Sequence, residues 1–359
     1  MTVLKPSRLL NLDILRLVSA LLVLGFHYGF RMQISGEGGG LGFPELAPYA
    51  MWFDTGLLIF FAISGYVIAL SAEGRTAYEF AAGRVARLWP TFVLCATITA
   101  IVLSVWSVPG IAPPTIRQWL AHAVIISRGL GEPFLDGAYW TIAYEIIFYV
   151  WIFLLIATGQ FQRNWRIAVI AWLLISVANE LVIDSGVLRK LLITEYSGYF
   201  AFGLVLYKTR QQASPGKLCL LAGAAAWAVV TPFLIEPDFV EMYGLSRSPA
   251  GLALIGPVAL AAVTISATAR SISIPPALAI ALGGLTYPLY LLHQHIGYAV
   301  FARFGTGTNR WFLALCLLSA LLVVSLGIAR FVEPPARRAI VGASVRLAEN
   351  LRHLRRRAA

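Results

Sequence analysis

Apolar windows long enough to cross a bilayer, which takes about 20 residues, recur ten times along the 359-residue chain. They lie near 9–30, 50–71, 89–108, 140–158, 165–183, 191–207, 217–235, 250–269, 278–302 and 311–331. Each is expected to form a transmembrane helix, which makes the chain an all-α polytopic membrane protein with about ten spans. The fifth and sixth windows are the least well separated, with only a short polar connection from Asp184 to Lys190. The stretch 115–131 is broken by Arg117, Gln118, His122 and Arg128 and is expected to lie as a helix on the membrane surface. No large soluble domain, internal repeat or low-complexity tract interrupts the series. The expected organisation is a transmembrane domain over 1–335 and a short, basic, helix-prone cytoplasmic tail over 336–359.

The first window, Leu9 to Phe30, is organised around two polar residues, Arg16 and His27. Eleven steps of 100° bring them to one face after three turns plus about 20°, with a rise of about 16 Å. A charge and an imidazole cost free energy in lipid, so both should face a protein interior or a wet cavity. The plainer reading is that Arg16 snorkels to the headgroups and His27 is interfacial.

Composition agrees with a membrane setting. The chain is 59% hydrophobic and 13% charged, with a mean hydropathy of +0.77, whereas soluble domains run at about 25% charged. Lys and Arg number 28 against 17 Asp and Glu, a net charge of +11. With the N-terminus inside, 19 of the basic residues fall in inner segments and 8 in outer loops. That bias places both termini in the cytoplasm. The positive charge is thus an orientation signal with anionic-lipid contacts at the tail, and a nucleic-acid partner is not expected. Lys5 and Arg8 ahead of the first apolar run resemble a signal peptide. The run is too long and lacks a small-residue cleavage site, so it is expected to be retained. Cys95, Cys219 and Cys316 sit in apolar segments with no metal-ligand spacing and imply no disulfide framework.

Three further constellations change the picture. Arg84 and Arg87, three apart just before the third window, are neighbours on a helix surface. They are either positive-inside anchors or a clamp for phosphates, since guanidinium forks match phosphate oxygens. In the fourth window Trp140 begins the span, and Thr141 and Glu145 follow at i and i+4. Trp140 fits an interfacial belt, whereas Glu145, about 9 Å inside, needs a partner and marks a site. In the ninth, Tyr287, Tyr290 and His293 step by three behind Pro288, and His295 points about 200° away from His293. That angle argues against a shared metal, and His295 reads as structural. In this topology the arginines gather at the cytoplasmic mouth, with Glu145, His293 and His27 further out. Such an arrangement suits a phosphate-bearing donor from the cytosol and an acceptor from the other side.

These stretches resemble the integral-membrane acyltransferase-3 family of bacterial O-acyltransferases that modify surface polysaccharides. The matches are Arg16-x10-His27, FFAISGY at Phe60 to Tyr66, RVARLWP at Arg84 to Pro90, and WTIAYEIIFY at Trp140 to Tyr149. YPLYLLH at Tyr287 to His293 and the helix-ending VEPPARR at Val332 to Arg338 complete the set, in the family's order. The resemblance implies a multi-pass protein of the bacterial inner membrane that uses acyl-CoA, usually acetyl-CoA, as co-substrate and a sugar hydroxyl as acceptor. No permanently bound cofactor is expected; membrane lipids and polysaccharide-biosynthesis proteins are the further partners. It also implies a catalytic role for His27 and a need for Arg16, Arg84 and Arg87. One departure is Leu58, where many members carry an acidic residue; Asp54 lies a helical turn earlier. No esterase-like domain of the kind some members append is present, so acceptor handling is expected to fall to the membrane domain or another protein.

The expected mechanism makes His27 the general base for an acceptor hydroxyl, with Glu145 orienting it or binding the acceptor. An acyl-His intermediate is an open alternative. Ser64 is either a second nucleophile or a packing residue beside Gly65, and Trp140, Tyr287, Tyr290 and His293 are acceptor or supporting residues. A transporter or flippase of a lipid-linked sugar would use the same wet cavity without chemistry. A membrane anchor for a polysaccharide synthase is the third reading.

Overall fold

The computed structural model describes residues 10–124, 127–270, 272 and 274–358; Lys5 and Arg8 lie outside them. The first helix, α1, runs Leu10–Phe26 and continues through a π-helical turn at His27–Arg31. It is followed by α2 (Thr55–Ala72), α3 (Ala77–Val105), α4 (Trp140–Ala157) and α5 (Trp165–Ala178). The central helix α6 (Ser197–Gln211) leads to α7 (Pro215–Leu234) and α8 (Pro249–Thr268). The chain ends with α9 (Pro276–Phe304), α10 (Arg310–Gly327) and α11 (Glu333–Ala358).

Among the described residues eight helices have the length and hydropathy of a membrane crossing, and there is no β-strand. The other two expected spans fall on α6, which is too short to count among the eight, and on α9. At 15 residues α6 is short, yet every side chain from Ser197 to Lys208 is buried. A helix that is apolar all round belongs inside a bundle, not at its surface. The 29 residues of α9 run unbroken through Pro288, with Thr286, Tyr287, Tyr290, His293, Gln294 and His295 along the middle. The expected surface helix is a short one, Ile116–Ala123, with a 3-10 turn at Ser127–Leu130.

Two differences concern where helices begin and end. Thr76 and Glu79 form a capping box, so α3 starts at Ala77, well before its apolar window. Arg84 and Arg87 therefore ride on a formed helix. At the other end VEPPARR does not terminate the helix. A π-turn at Ile328–Val332 carries α10 into α11, which packs along α3 through Tyr78 Oη to Ser344 O (2.6 Å) and Thr91 Oγ1 to Glu333 Oε1 (3.1 Å).

Two apolar cores meet along a seam. One is built from α2, α4, α6, α7 and α8, with Phe200 ringed by Phe61 (4.7 Å between centroids) and Phe148 (4.6 Å). The other joins α1, α3, α9 and α10 around Leu289, Leu292, Tyr298 and Phe301. The outward faces carry exposed Ile167, Leu174, Leu254, Leu315 and Val323, as lipid contact requires.

The tightest helix pair is α2 with α6, and its cause is a pair of glycines. A Cβ on Gly65 would strike the Phe200 carbonyl, and one on Gly203 would strike the Ala62 carbonyl. Backbone meets backbone on both sides, so neither position can yield by moving a flexible side chain. Replacing Gly203 by Val is expected to cost about 1–3 kcal/mol or more, as overpacked sites do. Thermal unfolding in detergent measures it; a variant with unchanged midpoint would contradict the contact.

Candidate functional site

A cavity opens on the seam and is lined from five helices: Arg16 of α1, Phe60 and Ser64 of α2, Arg84 and Arg87 of α3, Thr141, Glu145 and Tyr149 of α4, and Tyr287 and Tyr290 of α9. Space for water centres amounts to about 90 Å³, room for several water molecules. Of the residues singled out in the sequence, seven line this cavity together: Arg16, Ser64, Arg84, Arg87, Glu145, Tyr287 and Tyr290. Three do not, namely His27, His293 and Trp140.

The cations of the cavity are poorly matched by anions. Arg16 has one ion pair, a loose one of 3.5 Å to Asp13 on the preceding turn. Half-buried Arg84 stands 5.9 Å from the ring centroids of both Phe80 and Tyr149, within cation–π range, and its Nε is buried without a hydrogen-bond partner. Exposed Arg87 marks the mouth, and among the described residues neither it nor Arg84 makes a salt bridge.

Glu145 is claimed by hydroxyls instead. Ser64 Oγ donates to its Oε1 at 2.8 Å, and Tyr149, one turn along α4, donates to the same oxygen. Its hydrogen bonds therefore run to Ser64 and Tyr149, not to His27, and the carboxylate shares the arginines' cavity. Ser64, as an O–H donor to a carboxylate beside Gly65, is a positioned polar residue as well as a packing one. Tyr287 Oη makes a long contact to Leu88 O at 3.4 Å, tying α9 to α3.

His27 lies outside the lining, where the regular part of α1 gives way to its π-turn. Its ring meets His293 edge-to-face, with centroids 5.0 Å apart, and its Nδ1 is 3.3 Å from Tyr298 Oη. Buried His293 donates from Nδ1 to the Tyr290 carbonyl at 2.7 Å. Tyr290 is thus the link between the two groups: its ring lines the cavity, its hydroxyl is 2.8 Å from Thr141 Oγ1, and its carbonyl fixes His293. The cavity shared by the arginines extends to Tyr290 and does not reach His27.

Several placements settle lesser questions. His295 is structural: Nδ1 donates to Leu135 O (2.9 Å) and Nε2 accepts from the Gly137 N–H (3.3 Å). Trp140 packs on Tyr144 (5.3 Å) and Tyr196 (6.0 Å), away from the cavity. Asp54 does not replace the acid missing at Leu58, because it is paired with buried Arg247 at 2.6 Å. Sequence reasoning missed Tyr298 and Asp136. The fully buried Asp136 carboxylate accepts from the Ala138 and His295 backbone N–H groups, both at 2.9 Å, and so pins the turn before α4 onto α9. Its sequence signal was an acid just ahead of a helix start, a cap position.

Comparison with known proteins places this geometry. A family profile described as an acyltransferase domain matches residues 9–330, nearly the whole chain. An O-acetyl transferase of Shigella phage Sf6 is 28% identical over 154 residues, which is 38% of this chain and 43% of the relative's length. No solved structure matches.

The Asp136 turn yields its own expectation. In Asp136→Ala the Ala138 and His295 N–H groups lose their buried acceptors, at about 1–3 kcal/mol for each unsatisfied group. A drop of several degrees in the thermal midpoint should follow, and an unchanged midpoint would mean the carboxylate holds nothing.

Proposed function

The chain belongs to the acyltransferase-3 family, and on that premise we propose that it moves an acyl group, acetyl in the first instance, from acyl-CoA to a glycan hydroxyl. In this reading the protein sits in the bacterial plasma membrane with its arginine mouth toward the cytoplasm, and the glycan is destined for the cell surface or for export. The observation that carries the proposal is the excess of guanidinium charge in the seam cavity. Three guanidiniums around one cavity, only one of them in an ion pair and that a loose one, suit a polyanion, and the phosphates of a coenzyme A donor supply one. The phage relative named as an O-acetyl transferase supports acetyl as the group moved.

The chemistry follows from the two groups of residues. Arg87 at the mouth and Arg84 and Arg16 further in hold the donor's phosphates, and the thioester arm extends past Glu145 toward Tyr290. Since Tyr290 closes the lining, its ring has to turn for the acyl carbon to approach His27. His27 removes the proton from the acceptor hydroxyl, whose oxygen bonds to the thioester carbonyl carbon. The C–S bond then breaks, and the thiolate leaves and takes up the proton. Glu145, held by Ser64 and Tyr149, shapes the donor end and is not the partner of the base.

Purified protein incubated with labelled acetyl-CoA and a polysaccharide acceptor should transfer the label, and His27→Gln should slow transfer about 10²–10⁴-fold. Movement of a lipid-linked sugar, with no transfer from any of several acyl-CoA donors, would favour a flippase instead. The donor site has a separate test. Arg84→Ala combined with Arg87→Ala should weaken acyl-CoA binding roughly tenfold or more at low salt, by loss of hydrogen bonds to charged groups. The difference should shrink as salt screens the exposed part of the site. Unchanged binding at low salt would remove both residues from the donor site.

A further inference from the structure

The proton that His27 takes up in the proposed transfer needs a place to go, and the role assigned to its neighbour rests on that reading. His293 is 1% exposed, and a carbonyl can only accept, so the bond to Tyr290 O fixes the proton on Nδ1. The other nitrogen, Nε2, then carries a lone pair. It is buried and has no hydrogen-bond partner. An acceptor without a donor inside a bundle is destabilising, and such groups call for a reason. Its aromatic neighbour across the helix interface is His27, edge-to-face at 5.0 Å.

We propose that His293 is a positioning residue for His27, with Nε2 as the seat for the N–H that His27 gains when it is protonated. Neutral imidazole has one N–H and imidazolium has two. One His27 nitrogen is already engaged, Nδ1 lying 3.3 Å from Tyr298 Oη. The proton that arrives from the acceptor hydroxyl makes the remaining ring nitrogen a second donor; once the acceptor oxygen has bonded to the acyl carbon, the empty lone pair of His293 receives that N–H until the departing thiolate takes the proton. The orphaned state before proton transfer and the satisfied state after it make this a hydrogen bond of the transition state and not of the ground state.

The surroundings are built to hold the pair in register. Tyr28, next to His27 in sequence, donates from its hydroxyl to the His293 carbonyl at 2.5 Å. The path for that side chain exists because residue 297 is a glycine: a Cβ there would strike the Tyr28 hydroxyl and ring. Asp136, fully buried and without a salt bridge among the described residues, sits on the backbone N–H of His295, two residues from His293. Its negative charge favours a positive one shared between the imidazoles in a medium of low dielectric.

Histidine ¹⁵N spectra of the full chain in lipid nanodiscs test the seat directly, without substrate. The titratable groups facing His27 are Arg31 on its own helix and His293, His295 and Tyr298 from α9, while Asp136 from the turn before α4 faces His293. As His27 titrates, the His293 Nε2 resonance should move with it from the free-acceptor to the hydrogen-bonded position, and His27→Gln should abolish that movement. A His293 Nε2 resonance that stays fixed while His27 titrates would overturn the proposal.

Turnover supplies the second arm. His293→Asn keeps an amide donor for the Tyr290 carbonyl but removes the Nε2 acceptor. It should lower kcat roughly 10- to 100-fold, the worth of a hydrogen bond to a charged group, with KM for both substrates within about twofold. His293→Gln, which returns an acceptor near the Nε2 position, should recover part of the loss. A wild-type kcat in the asparagine variant, or a change in KM alone, would refute the role. Should the wild type show no transfer with any donor, the functional reading fails while the spectra still decide the part played by His293.

Discussion

A guanidinium drawn away from bulk water is costly, and three gather around one cavity, Arg16 and Arg84 partly buried and Arg87 exposed at its mouth. The carboxylates close by pair with them only loosely: Asp13 lies 3.5 Å from Arg16, and Glu145 gives one oxygen to two hydroxyls. A structural cluster would be expected to pair its charges, as Arg247 does with Asp54 and Glu236 at 2.6 and 2.7 Å. The contrast between these two arginine sites within one chain sets the loosely paired cations of the seam cavity apart from the matched charges of the Arg247 cluster.

That cavity exists because the two cores are each packed tightly and meet imperfectly. On one side the glycines of α2 and α6 bring backbones into contact, which fixes the face of α2 that carries Ser64 and so aims its hydroxyl at Glu145. On the other side α9 is anchored to α1 through Tyr28 and to the turn before α4 through Asp136 and His295. Neither core supplies a helix that fills the space between Arg16, Arg84 and Glu145. Bilayer physics adds a second condition, since polar groups at that depth must find partners within the protein.

How much of this was legible in the sequence depends on whether a feature is local. The phase of Arg16 and His27 was readable because α1 is regular through Phe26, so 100° per residue holds between them. The π-turn that starts at His27 was not, because nothing in HYGFR differs from an ordinary helical stretch. Arg84 and Arg87 were legible as neighbours on a helix surface but not as part of the third span itself, since hydropathy overlooks the start signal at Thr76 and Glu79. The fifth and sixth windows were the least well separated in the sequence; the sixth folds as the central helix α6, whose unbroken apolarity reports interior position. Tyr298 and Asp136 were missed because their roles exist only across helices, 271 residues from His27 in one case and 159 from His295 in the other.

The separation of Glu145 from His27 bears most on mechanism. Both were expected deep and outward, His27 as a base and Glu145 orienting it or binding the acceptor, yet the carboxylate joins the cations and the imidazole joins a second histidine. A carboxylate beside His27 would take its one N–H and fix the ring whether or not substrate is present. Tyr298 and His293 impose no such charge. The site thus keeps fixed charge at the donor end and neutral, proton-shifting groups at the other, with Tyr290 touching both. An enzyme that must keep a thioester from water until an acceptor hydroxyl is in place has use for such a division. The aromatic ring that closes the cavity covers the neutral end and leaves the charged mouth open.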